Sequence, residues 1–324
     1  MSGTLWLGIA ISTVLLWVVL RGVHLEDIVQ HLRHVHWGWM VPMVLSVFVR
    51  VWLTAIRWQL FLRPVKRIGV NRLFGITMIG FAANNVLPAR LGEVVRAYAL
   101  GRVEALPVSL SFATIVIERL FDGFTLLLFL VGSLPFLGSA PWLIWSAVLT
   151  CVLYAGILVT LLVLRAGHGL PLLLRWLGRL PLRVATPARR FLESFRLGLD
   201  VLGDAQTVLL TAGLSLIIWT VNAAGMQATF YAFSLDLPFL AAFFVLATIA
   251  VALVLPAAPG HFGTLQFGAV AGLALFGVAP DAAVSLSFVY HFGNAIPICL
   301  TGLAYLGALN LTFRELRAAS EKGA

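Results

Sequence analysis

The chain has 324 residues, 61% of them hydrophobic and 11% charged, with 22 Lys/Arg against 13 Asp/Glu. A soluble domain carries about a quarter of its residues charged, so this composition, with a mean hydropathy of +1.01, excludes a water-exposed globule and describes a polytopic membrane protein. The net charge of +9 does not describe a nucleic-acid binder, because the positive residues fall at the ends of apolar runs, the pattern of membrane topology.

The first predicted span covers residues 4–20; MSGTLWLGIA has no basic n-region and no small-residue cleavage site follows, so it reads as an uncleaved helix. Residues 24–36 form an amphipathic interfacial stretch that runs into Trp37 and Trp39, side chains suited to a headgroup boundary. A second span, 39–62, is followed at once by Arg63, Lys66, Arg67 and Arg72. Further spans are expected over 107–136 and 142–164. From Arg165 to Arg196 there are seven arginines and no lysine, and the interleaved Leu and Trp residues suggest basic surface helices on an anionic leaflet. Apolar segments follow at 207–233, 239–255, around 267–278 and at 282–311, before the polar tail RELRAASEKGA. Cys151 and Cys299 lie in apolar runs and read as ordinary core residues.

The arginine-rich segments belong in the cytoplasm. That places the N-terminus, the 63–72 loop, the 165–205 linker and the C-terminus inside a bacterial inner (cytoplasmic) membrane. The last three carry four, seven and three Lys/Arg, against Arg21 and Arg33 outside.

Val86-Leu87-Pro88-Ala89 recurs as Val254-Leu255-Pro256-Ala257, 168 positions later, each copy following an apolar run and preceding glycines. The span at 39–62 shifted by the same interval lands on the one beginning near 207, and each copy precedes a long helix with polar residues in it: Glu118-Arg119 in one, Tyr290-His291 in the other. By the arginine rule the two copies enter the membrane from opposite sides. From Arg72 to Val86 is 14 residues, about 21 Å of helix, too short for a comfortable span, and Pro88 and Gly92 then stop it. The expected fold is an all-α membrane protein with two inverted repeats, 38–136 and 206–311, joined by the basic linker 165–205. Each repeat holds a re-entrant or broken helical hairpin, giving about six full spans plus two hairpins, or eight spans. Pro88 and Gly92 would form the first hinge, and Pro256, Pro259, Gly260 and Gly263 the second. Broken helices in inverted repeats are how many transporters build a midplane site.

A charge inside a transmembrane helix costs at least about 2.5–3.5 kcal/mol, so it faces a partner or a watery cavity. Arg50 and Arg57 share a face of the second span. Asn84, Asn85, Arg90, Glu93 and Arg96 flank the first break, and Glu118, Arg119 and Asp122 lie midway along the 107–136 helix. Glu93 with Arg96 and Arg119 with Asp122 are spaced to pair, while Arg57 is also placed to snorkel to the cytoplasmic surface. Five arginines oppose three acids in this set, and the surplus suits an anionic ligand such as a phosphate headgroup. In the second copy His261, Gln266, His291 and Asn294 sit at or near the break, and either histidine is a candidate proton carrier. No metal site, cofactor or catalytic residue is expected: the sequence has no GxSxG, P-loop or GxGxxG.

NNVLPARLGEVVRAYAL (84–100), ATIVIERLFDGFTLLLFL (113–130) and LPAAPGHFGTLQFGAVAGLALFGVAP (255–280) resemble the flippase-like membrane domain that forms the membrane half of lysylphosphatidylglycerol synthases and also occurs in stand-alone proteins. The resemblance extends over roughly 5–310; the third motif departs from the pattern with His261-Phe262. It implies movement of a modified phospholipid or glycolipid between leaflets, with Asn84, Asn85, Arg90, Gly92, Glu93, Arg96, Glu118, Arg119 and Asp122 as the implicated positions. It also implies a member without the soluble aminoacyltransferase half, and so not an enzyme. The expected partners are membrane lipids, with no nucleic acid, and a homodimer is left open. Two rival functions stay open: a membrane-embedded transferase using a lipid-phosphate donor, and a secondary transporter of a small anion.

Overall fold

The computed structural model describes residues 2–87, 91–133, 141–167, 175, 179, 182–312 and 315. Among them there are helices and no strands. In chain order the helices are α1 (Ser2–Leu20), α2 (Leu25–Arg33), α3 (Met40–Leu62), α4 (Val70–Val86), α5 (Gly92–Glu104) and α6 (Val108–Ser133). They continue with α7 (Pro141–Arg165), α8 (Leu182–Gly198), α9 (Ala205–Ala232), α10 (Phe239–Ala252), α11 (Thr264–Ala274) and α12 (Pro280–Ala308). Segments within α3, α7, α9 and α12 are long and apolar enough to cross a bilayer, as an all-α polytopic membrane protein requires.

Five other helices, α4, α5, α6, α10 and α11, fall short for readable reasons. α6 has 26 residues but carries Glu118, Arg119 and Asp122 at its middle. α4, α5, α10 and α11 have 17, 13, 14 and 11 residues, or about 16–26 Å of helix against a hydrocarbon core of about 30 Å. α4 packs on α5 and α10 on α11, so each pair is a hairpin of arms too short to span. The segment expected to run over 239–255 unwinds after Ala252, and Val254 to Pro256 are exposed. Pro88 and Arg90 lie outside the described residues.

The sets α3–α6 and α9–α12 present the same order of long helix, two short arms and long helix, and a core centres on each, with Ile298 of α12 entering the first and Met43 of α3 the second. Val51, Trp58, Ile76, Leu100 and Ile117 belong to one; Met226, Phe230, Val245, Leu273 and Leu286 belong to the other. The sets meet reciprocally: α3 lies along α9, α4 packs on α12, and α10 packs on α6. With lipid on the outside, such contacts depend on close approach rather than on water exclusion, and glycine permits it. A Cβ on Gly302 of α12 would run into Ala82 and the Met78 carbonyl of α4.

Polar contacts set the ends of elements. Asp204 opens α9 by accepting hydrogen bonds from the Gln206 and Thr207 amides at 3.3 and 3.2 Å, an N-cap arrangement. Glu104, at the end of α5 and outside the spanning helices, pairs with Lys66 and Arg72, each at 2.7 Å. Burial alone would raise its pKa, but the hydrogen bonds and charges of Arg72 and Lys66 outweigh it and hold the carboxyl below its ordinary value.

The second hairpin leans on α1. The Ala258 amide donates to Ser12 Oγ at 2.8 Å, and Gly263, at φ +82°, lies so close that a Cβ would overlap the Ser12 carbonyl. Gly263→Ala therefore meets both a forbidden backbone and a steric wall. It is expected to destabilise the protein by about 1–3 kcal/mol, read as a lower melting temperature in detergent; Gly213→Ala, at an open helical position, serves as the neutral control.

Candidate functional site

α6 is the polar axis of the molecule. Its Glu118 Oε1 accepts from Arg96 Nη1 of α5 at 2.9 Å and from Arg119 Nη2 at 3.2 Å, and lies 3.3 Å from Arg57 Nη2 of α3. One turn on, Asp122 accepts from Arg57 Nη1 at 2.7 Å and from the Trp219 indole of α9 at 3.2 Å, with Arg119 3.3 Å away. Arg57 also donates to Ser215 Oγ at 2.6 Å. The Arg96 guanidinium lies over the Trp58 ring, 3.8 Å from its centroid, a cation–π contact. Four helices are tied through two carboxylates.

Two sequence expectations are corrected here. Arg57 does not snorkel: it is 1% exposed, because Glu118 and Asp122 offer it a charged partner at depth. Arg96 pairs with Glu118 rather than with Glu93, since its side chain turns inward over Trp58. Arg119 does reach Asp122.

Above this network a polar cavity of about 260 Å³ opens between the two hairpins. Arg50 of α3, Asn84 and Asn85 of α4, Glu93 of α5 and Arg119 of α6 line it from the first set. His261 and Asn294 line it from the second, joined by Trp219, Asn222 and Tyr290. Trp219 and Asn222 carried no signal in the sequence, because a Trp and an Asn in an apolar span reveal their facing only once α9 is placed. The hairpin tips adjoin at this cavity: α4 touches the Pro259–His261 turn, and a Cβ on Gly260 (φ +75°) would lie 3.2 Å from the Asn85 carbonyl. Gly92 is equally tight, its amide donating to Asn84 Oδ1 at 2.8 Å. Larger apolar grooves flank the bundle, one of about 470 Å³ between α6, α7 and α9. Among the described residues its lining is apolar apart from Thr125.

Gln266 and His291 do not line the cavity; they brace the second hairpin from behind. Gln266 Oε1 accepts from the Gly263 amide at 2.8 Å, which turns its NH₂ toward His291 Nδ1, 3.0 Å away. Nδ1 must then accept, so His291 is the neutral Nε2–H tautomer. Protonating it would set two donors against each other, which argues against His291 as a proton carrier. Pro259 opens the Pro259–His261 turn and Pro256 lies three residues before it. Among the described residues no group of three or more His, Cys, Asp or Glu is arranged to hold a metal ion.

Arg50 differs from the other buried arginines. It is the eleventh residue of α3, and although its buried, unpartnered Nε is shared with Arg57 and Arg96, it alone of the described arginines of the site has no acid paired with it. It borders the Phe81 ring, 5.9 Å from the centroid. The cavity therefore holds an uncommitted cation beside a hairpin break.

The family model described as the lysylphosphatidylglycerol synthase TM region matches residues 5–302. The chain belongs to this family. Among its relatives is a UPF0104 membrane protein of Methanothermobacter thermautotrophicus, 25% identical over 286 residues that make up 81% of this chain and 82% of the relative. A second UPF0104 membrane protein of that organism is 25% identical over 280 residues, 78% of each chain. One from Methanocaldococcus jannaschii is 28% identical over 123 residues, 37% of this chain and 36% of the relative. The matched residues take in both hairpins, the α6 charge cluster and the residues that line the cavity.

Proposed function

We propose that the protein is a lipid flippase or transporter that moves an anionic or phosphate-bearing lipid between the leaflets of the cytoplasmic membrane, and that it has no catalytic role of its own. The observation that carries this reading is Arg50, a cation midway along a membrane helix that lines a cavity and lacks an acid partner among the described residues. Retaining such a charge is costly in a bilayer, and a bidentate guanidinium is well suited to a phosphate. Arg119, a cavity-lining residue whose side chain is 45% exposed, supplies a second cation from α6. The headgroup would sit between the hairpin tips while the acyl chains stay in lipid, and the short arms are the parts free to rock about it. The family description, which names a lysylphosphatidylglycerol synthase, supports a lipid substrate. Arginine distribution supports cytoplasmic termini.

The test is mass spectrometry of the lipids that co-purify with wild type and with Arg50→Ala/Arg119→Ala. A defined anionic or glycosylated lipid enriched on wild type and lost from the variant is the expected result. If both carry the same bulk phospholipids, the arginines grip a small soluble anion or serve only to lock helices, and the lipid reading fails.

A further inference from the structure

The cavity has two chemically distinct poles, and only one of them suits a phosphate. Arg50 and Arg119 form the cationic pole. Glu93, the second residue of α5, lines the same space, takes no hydrogen bond from a described residue, and has its Oε2 shut off from solvent. It acts on the Arg119 charge from a distance, whereas Glu118 and Asp122 hold Arg119 directly at 3.2 and 3.3 Å, so the Glu93 carboxylate is not consumed by an ion pair among the described residues. Two carboxamides complete this second pole. Asn85 donates its NH₂ to the Phe81 carbonyl at 3.0 Å and Asn294 donates its NH₂ to the Tyr290 carbonyl at 2.9 Å, which leaves both side-chain oxygens as acceptors. A buried acceptor without a donor costs free energy, and a carboxylate in a site for a bare phosphate would repel it.

We infer that Glu93 is a specificity-determining residue that reads the far end of the lipid headgroup. The substrate class is then a phosphodiester lipid that carries a hydrogen-bond donor, hydroxyl or ammonium, beyond its phosphate; this rests on the lipid reading above. The phosphate lies on Arg50 and Arg119 and the donor on Glu93, with Asn85 and Asn294 beside it. At about 260 Å³ the space lies below the usual range for drug-sized ligands, which favours a small headgroup over an oligosaccharide.

The test uses the purified full-length chain and native mass spectrometry with four short-chain lipids in two pairs. Phosphatidylglycerol and phosphatidylmethanol share one negative charge, but only the first has free hydroxyls. Phosphatidylethanolamine and phosphatidylcholine are both zwitterionic, but only the first has N–H donors. Wild type is expected to favour the donor-bearing member by about tenfold in at least one pair, because a site built for a hydrogen bond rejects the analogue lacking it. Glu93→Ala should bring that ratio to about one, whereas Arg50→Ala should weaken all four lipids together. Glu93→Gln keeps an acceptor oxygen and the side-chain shape. It should retain a hydroxyl preference and lose an ammonium preference, which tells the two donors apart; Glu93→Met, of similar length but without an acceptor, should bring either ratio to about one and decides the matter if the alanine variant does not fold. Ratios near one in wild type, or wild-type ratios in Glu93→Ala or Glu93→Met, overturn the inference while leaving the lipid reading intact. Failure of wild type to bind any of the four lipids overturns the lipid reading itself.

Discussion

Glu118→Ala is expected to abolish a stable fold, with little protein surviving detergent extraction as a single species. The carboxylate is fully buried and receives three arginines through one oxygen. Removing it leaves Arg96, fully buried itself, with no acid partner among the described residues, and leaves Arg57 dependent on Asp122 alone. Breaking a buried ion pair from one side costs about 3–5 kcal/mol, a large share of the roughly 5–15 kcal/mol that holds a domain together. Glu118→Gln preserves the shape but not the charge and should also destabilise, less severely. The diagnostic variant is Glu118→Ala/Arg96→Met, which removes one stranded cation along with the acid and should recover part of the loss, because a buried pair exchanged for apolar side chains is often close to neutral. The readout is fluorescence-detected size exclusion after a temperature ramp. A Glu118→Ala protein that melts with wild type would show that the network does not lock α3, α5 and α6 together. Arg119→Ala gives the contrast: it removes the network's most exposed member, so folding and insertion should survive while the substrate is lost.

Much of this architecture is legible in the sequence, and the boundary of what is legible has a physical origin. The breaks near Val86 and Ala252 are local: an apolar run too short for the bilayer, then proline and glycine, says the helix stops whatever surrounds it. The charges at Glu118, Arg119 and Asp122 are equally plain, because their cost in lipid makes any instance informative. Pairing is not local. Arg96 sits at the right spacing for Glu93 on α5, yet a partner from α6 and the face of Trp58 win, because tertiary contacts at depth exceed an exposed helical pair. Arg57 has the length to snorkel, and only the position of α6 shows why it does not. Gln266 and His291 are 25 residues apart, and their bond, which fixes the histidine tautomer, exists only once α11 lies against α12. Trp219 and Asn222 are the same kind of miss on the cavity wall, whereas Arg50, Asn84, Asn85, Glu93, Arg119, His261 and Asn294, which charge, polarity or the family motif single out in the sequence, line one cavity.

Arg50→Met is expected to move stability and function in opposite directions. Every other described arginine of the site has an acid within 3.3 Å, and Arg50 has none, so its replacement strands no carboxylate. Methionine fills much of the same volume beside Phe81 with an adaptable apolar chain, and it removes a charge whose placement at the centre of a membrane helix costs at least about 2.5–3.5 kcal/mol on insertion scales. Part of that cost is relieved by the cavity, so a gain on the order of 1 kcal/mol in stability is the expected size, within the range usual when a functional residue is exchanged for a better-packing one. Hydrogen bonds to a charged partner contribute about 1.5–3 kcal/mol each, so losing a bidentate contact should cut ligand affinity by about 10–100-fold or more. Arg50→Lys keeps the charge without the planar fork and should fall between the two. The measurement pairs thermal melting of the lipid-free protein with retention of the co-purifying lipid across the three proteins. Arg50→Met melting higher while losing its lipid would mark a cation held against the demands of the bilayer for an anion. Arg50→Met melting lower with its lipid retained would make Arg50 a structural residue and remove the observation on which the transport reading stands.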